Sequence, residues 1–213
     1  MNLPQGKLTN GLVITNIVIF LLLWLSGYEN AANYEGGLIP ARFAAVDPIF
    51  GNYTFIIPLW LTPLTSAFLH SGFMHLGFNM LMLIFCGRYV EQALGSVLMA
   101  ALYFLGIYAA GLTEIIFNGS SEIPVIGASG AISAVIGAYA ILFAQSEVKS
   151  FGPLPGYVMR IIWLGVAWIG IQLLVGAASQ GTAYGIAIYA HIGGFIAGLL
   201  LTRPLLIWKF RRA

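Results

Sequence analysis

Charge is what this chain has least of. Of its 213 residues 8% are charged and 60% hydrophobic, and the mean hydropathy is +0.92. A soluble domain of this length carries about a quarter charged residues, so the shortage argues against an ordinary soluble globule and for a polytopic membrane protein. The net charge of +2 leaves no basic stripe, so nucleic acid is not expected as a partner. The single cysteine, Cys86, lies in an apolar segment; it excludes an intramolecular disulfide and carries no information on redox compartment. There is no internal repeat and no low-complexity segment, which argues against a small transporter or channel built from repeats. No His-Glu-x-x-His occurs and the histidines lack its i, i+4 spacing, so a metalloprotease is disfavoured; no metal and no cofactor is expected.

What the chain does have is long apolar runs. Each span needs roughly 20 residues, and six are read: Leu12 to Gly27, Thr65 to Arg88, Gln92 to Phe117, Ser129 to about Ala144, Tyr157 to Ala178, and Ala183 to Trp208. The expected architecture is therefore all-α, a polytopic membrane bundle of six transmembrane helices. Residues 1–11 form a short polar lead, 12–208 the membrane domain and 209–213 a basic tail. The first run is read as a retained first helix; a cleaved signal peptide, with Lys7 before it and Asn30-Ala31-Ala32 after it, is the alternative. The long connection 28–64 carries Phe50, Tyr53, Phe55 and Trp60 among its polar residues. Trp and Tyr favour the headgroup region, so this loop is expected to lie partly in the interface.

Six spans with both termini on one side put eight of the nine basic residues on or near the terminal side, leaving Arg42 opposite. By the positive-inside rule the termini are then cytoplasmic. The expected location is the bilayer of a multi-pass protein, a prokaryotic inner (plasma) membrane.

Polar groups inside lipid are costly and tend to line a cavity or a site. All three histidines fall in the runs read as spans. His75 and Asn79 are four apart and share a helix face, as do Ser129 and Ser133. His70, five before His75, falls well round the helix. In the fourth span Gly130, Ala134, Gly137, Ala138 and Ile141 form a stripe of mostly small residues; in the sixth, His191, Gly194 and Gly198 share a face. Small faces let helix backbones approach closely in lipid, which would bring Ser129 within hydrogen-bond reach of His191. Packing alone is the plainer explanation of each stripe taken singly.

Together these motifs give a resemblance: the sequence resembles the rhomboid intramembrane serine proteases. His70-Ser-Gly-Phe-Met-His75-Leu-Gly-Phe-Asn79 matches that family's His-x4-His-x3-Asn. Gly127-Ala-Ser129-Gly130 matches its Gly-x-Ser-Gly. Ala190-His191-Ile-Gly-Gly194-Phe-Ile-Ala-Gly198 matches Ala-His-x-x-Gly-x-x-x-Gly, and Glu91-Gln-Ala-Leu-Gly95 fits Glu-x-x-x-Gly. The likeness reaches from about Trp60 to Gly198. It implies Ser129 as nucleophile and His191 as general base in a dyad, because no acidic residue falls near mid-membrane to orient the imidazole. It implies His75, Asn79 and the Ser129 backbone N–H as oxyanion donors at a helix N-terminus. His70, Gly127, Gly130, Ser133, Gly194 and Gly198 are expected to be structural or close to substrate. The polar stretch Asn118 to Glu122 is expected to line water entry, and the turn Ser179 to Thr182, with Gly181, to cap the site.

The implied partners are transmembrane protein substrates in the lipid bilayer, and the implied activity is serine endopeptidase. A non-catalytic relative acting as a membrane chaperone or scaffold is the alternative. Two positions depart from the family pattern. Trp60 is followed by Leu61 rather than Arg, which puts the anchoring of the first loop in question. Ser133 stands where an aromatic residue is common in the family, so it is expected either to hydrogen-bond the imidazole or to leave it less constrained.

Overall fold

The structure is a computed structural model that describes residues 3–43, 57–143, 149–178 and 187–211. Helix α1 spans Lys7–Ser26, followed by the short α2, Glu29–Gly36. Two 3-10 turns, Pro40–Phe43 and Leu59–Leu61, lead to the five-residue α3, Thr62–Ser66. A continuous helical unit of 22 residues follows: α4 (Phe73–Met82), a π-helical turn (Leu83–Gly87) and α5 (Arg88–Leu94). The remaining helices are α6 (Ser96–Phe117), α7 (Ser129–Leu142), α8 (Gly156–Ala178) and α9 (Ile188–Arg211).

Four of these units are long and apolar enough to cross a membrane: Lys7–Ser26, Phe73–Leu94, Ser96–Phe117 and Ile188–Arg211. Two shorter apolar stretches, Ser129–Leu142 and Gly156–Ile171, accompany them. Side-chain burial is reversed from that of a soluble protein. Leu22, Leu25, Val97, Leu105, Ile116 and Leu200 stand exposed around the outside. The polar Asn16, Asn79, Glu91, Glu114, Ser133 and Thr202 are buried. Such a surface is stable against acyl chains and not against water.

The second long helix starts later than the sequence pattern suggested. Thr65 ends up in α3, and Leu69 to Gly72 form a turn before Phe73, so His70 does not lie in a membrane-crossing helix. The apolar Ala67 and Leu69 disguise the break, because they and His70 are buried in a turn rather than in a helix.

The helix ends meet through one carboxylate. Glu91 accepts the N–H groups of Leu8 (2.9 Å) and Thr9 (2.8 Å) in the first turn of α1, together with the hydroxyls of Thr9 (2.7 Å) and Ser96 (2.7 Å). The first-turn amides of a helix have no partner of their own, and an anion at that end also meets the positive pole of the helix dipole. Two residues on, the Ala93 carbonyl accepts Lys209 Nζ at 2.7 Å. The start of α1 and the end of α9 therefore lie at the same end of the bundle.

Helix α7 runs through the centre. Ala131, Ile132, Ser133, Ala134, Val135 and Ala138 are all buried, and α9 lies against α7 at backbone distance. A Cβ on Gly194 would collide with the Gly130 carbonyl, one on Gly198 with the Ala134 carbonyl, and one on Gly137 with the Phe195 carbonyl. The stripes on the fourth and sixth spans thus pack against each other, as small-residue faces do in lipid.

Candidate active site

The segment before α7 is held on three sides. Leu38 and Val125 form an antiparallel bridge, with N–H to carbonyl distances of 3.0 and 2.8 Å, and Ala41 donates to the Ser121 carbonyl at 3.0 Å. Gly127 donates its N–H to the Ser66 carbonyl at 2.8 Å. The described part of the first loop is therefore anchored through its own backbone. Trp60 is exposed, whereas the buried Arg42 reaches the Ile57 carbonyl at 3.4 Å. Gly127 has φ 111°, in the left-handed region that favours glycine. A Cβ there would sit 2.6 Å from His75 Nε2 and 3.7 Å from Ser129 Oγ. The missing side chain leaves a small gap bordered by both groups, at the N-terminus of α7.

Ser129 is the first residue of α7, so its backbone N–H is one of the helix's unpaired donors. Its Oγ lies 2.8 Å from Nε2 of His191, 62 residues away on α9, and both residues are buried. His191 Nδ1 is buried without a hydrogen-bond partner among the described residues. Among the described residues no carboxylate holds the back of the ring.

His75 and Asn79 occupy one face of α4. The Ser71 N–H approaches His75 Nδ1 at 3.4 Å and its hydroxyl at 3.1 Å. A backbone N–H only donates, so Nδ1 accepts and the neutral ring carries its proton on Nε2, the nitrogen facing the gap at Gly127. Asn79 Nδ2 donates to the His75 carbonyl at 2.8 Å, which fixes the amide orientation and leaves a second N–H on the same nitrogen. The His70 ring is buried edge-to-face with His75 at 5.1 Å between centroids. His70 thus backs His75 from the turn preceding α4.

Ser133 does not bond the imidazole. Its hydroxyl donates to the Ser129 carbonyl (2.7 Å) and accepts the indole N–H of Trp168 (2.7 Å). Trp168, buried on α8, meets the His191 ring at 6.2 Å between centroids with the planes inclined at 65°. The aromatic neighbour of His191 comes from another helix, an arrangement the sequence pattern did not indicate. An indole N–H in an apolar span requires an acceptor, but no spacing rule pairs position 168 with 133.

Glu114 is buried in α6, accepting the Ala190 N–H at 2.9 Å and Asn118 Nδ2 at 2.8 Å. It holds the first turn of α9 one residue from His191, through the backbone and not through the ring. A signal for it existed, since a carboxylate inside an apolar run marks a partnered site.

A cavity of about 30 Å³ borders Ser129, lined by Ser66, Ile107, Gly111, Gly127, Ala187 and Ala190 among others. That is room for a water or two. Asn118 to Glu122 do not line it. The expected cap, Ser179 to Thr182, lies outside the described residues, as do Phe50, Tyr53 and Phe55.

The Rhomboid domain family model matches residues 59–208, more than half of the chain. Over 123 residues, 58% of this chain, the sequence is 32% identical to RHOMBOID-like protein 1 of Arabidopsis thaliana. The matched region covers 28% of that protein's length. With a buried Ser–His contact between two glycine-packed helices, apolar membrane-crossing helices and a family match across most of them, the chain is a multi-pass integral membrane protein that belongs to the rhomboid family.

Proposed function

We propose that the chain is an intramembrane serine endopeptidase that hydrolyses a peptide bond in or near the transmembrane segment of membrane-protein substrates. The observation that carries this reading is the 2.8 Å contact between Ser129 Oγ and His191 Nε2, buried and spanning 62 positions of sequence. Ser129 gives its proton to His191 as Oγ attacks the scissile carbonyl carbon. The resulting oxyanion takes hydrogen bonds from His75 Nε2, Asn79 Nδ2 and the Ser129 N–H. Collapse breaks the C–N bond, and His191 returns the proton to the leaving amine. Water then attacks the acyl-enzyme, giving a proton to His191, and Ser129 recovers it as the acid departs. That His191 Nδ1 has no partner among the described residues supports a dyad rather than a triad.

We read the bundle as six spans with both termini cytoplasmic, in a prokaryotic inner (plasma) membrane. Support comes from the shared location of the chain ends at Glu91 and Ala93 and from the distribution of basic residues.

The test is proteolysis in proteoliposomes, with single-pass reporter proteins that carry small and helix-weakening residues near the outer membrane boundary. Wild type should cut within or beside the span, as located by mass spectrometry. Ser129→Ala and His191→Ala should abolish cutting, and Asn79→Ala should slow it by roughly 100-fold or more. Cleavage that survives Ser129→Ala contradicts the proposal. A folded wild type that binds the reporters without cutting any of them favours the scaffold alternative.

A further inference from the structure

We propose that Trp168, anchored by Ser133, is the positioning residue that aims the His191 imidazole at Ser129. The proposal rests on the dyad reading above and names what orients its base.

His191 has one hydrogen bond through its ring, Nε2 to Ser129 Oγ, and Nδ1 has no partner among the described residues. A single hydrogen bond leaves the ring free to rock about χ2, a torsion whose well is broad for histidine. Orientation must then come from packing. The large, nearly fully buried ring beside it is Trp168, edge-to-face at 6.2 Å. Trp168 is itself fixed at its polar end, where the indole N–H donates to Ser133 Oγ at 2.7 Å. The Ser133 hydroxyl spends its own proton on the Ser129 carbonyl, also at 2.7 Å.

The contacts close a ring: Ser129 carbonyl, Ser133 hydroxyl, Trp168 indole, His191 imidazole, Ser129 hydroxyl. Both ends of the ring are in the nucleophile's own residue. The position of the base is therefore referenced to the nucleophile, and not only to the α7–α9 backbone contact. The reference runs through α8, which borders α9 partly across an apolar cavity of about 270 Å³ lined by Gly165, Trp168, Ile169, His191 and Phe195, with the Phe195 ring packed over Gly165. Beside that open boundary, the Ser133 hydrogen bond to Trp168 fixes the α8 ring that meets the base.

The experiment uses full-length protein in detergent and a rhodamine fluorophosphonate. Ser129 Oγ displaces fluoride from phosphorus while His191 takes the hydroxyl proton, so the inactivation rate reads the dyad directly. The variants are Ser133→Ala, Trp168→Phe, their combination, and Trp168→Leu. Each of the first two should lower kinact by about 3- to 10-fold with KI unchanged, and the combination should be no slower than Ser133→Ala alone, because Ser133→Ala already removes the hydrogen bond that Trp168→Phe removes, along with the one to the Ser129 carbonyl. Trp168→Leu should lose on the order of 100-fold, the cost of a misplaced catalytic group. If Trp168→Leu does not fold, the other three variants decide alone. Effects of Ser133→Ala and Trp168→Phe that multiply overturn the anchoring. A lower melting temperature with unchanged kinact in the folded fraction assigns Trp168 to structure and overturns the positioning role.

A second readout separates the two proposals. In ¹⁵N-labelled protein, the His191 ring signals should move in Trp168→Leu, and the Trp168 indole signal should move in Ser133→Ala. If folded wild type does not label at all, the dyad fails, and stationary His191 signals would show that Trp168 does not orient the ring either. If wild type labels and every Trp168 and Ser133 variant labels at its rate, the dyad stands and the positioning role fails.

Discussion

Position 127 shows how much one missing side chain can decide. Its φ of 111° and the 2.6 Å that would separate a Cβ from His75 Nε2 act together. Any side chain strains the turn and also fills the gap where His75 and Ser129 face each other. Gly127→Ala should therefore lower fluorophosphonate labelling by about 100-fold while leaving the helical content of the protein intact. Labelling at the wild-type rate would mean that the gap is not where negative charge develops. Ser133 is the opposite case. It breaks the pattern of its neighbours, and its role emerges only when Trp168 is seen donating to it.

At the scale of elements, the buried polar groups act as helix tethers. Glu91 gathers the first turn of α1, and Glu114 gathers the first turn of α9. Removing the Glu114 side chain leaves the Ala190 N–H and the Asn118 amide without that acceptor. Glu114→Ala should lower the unfolding free energy by about 2 kcal/mol and speed amide exchange at Ala190, with Glu114→Gln milder because it keeps one acceptor oxygen. Unchanged exchange at Ala190 would show that α9 is held by glycine packing alone. The packing of α7 on α9 was legible in the sequence, because glycine spacing directly encodes a close face. The start of α4 was not. Ala67-Phe68-Leu69 reads as the start of the apolar run, and hydropathy cannot distinguish a buried turn from a buried helix. Glu114 was legible in principle, because a carboxylate inside an apolar run needs partners. Trp168 on His191 is a contact between helices that share no sequence motif, so only the fold reveals it.

For the whole molecule, the exposed apolar girdle and the meeting of the chain ends near Glu91 and Ala93 constrain the topology together. Reporter tags at the two termini should both be accessible from the cytoplasmic side in sealed vesicles, and a tag in the 28–64 connection only from the other. Termini on opposite sides would contradict an even number of spans. Two helices at backbone contact hold Ser129 against His191, and a cavity of about 30 Å³ beside Ser129 has space for the water that the proposed hydrolysis requires.

The central claim is that Ser129 is a nucleophile activated by His191, and the most direct measurement is the site of fluorophosphonate attachment in the detergent-solubilised protein. Peptide mapping should find the phosphonyl group on Ser129 alone in wild type, with no adduct in Ser129→Ala and none in His191→Ala. Equal labelling of wild type and both variants, or an intact folded wild type that takes up no label, would contradict it.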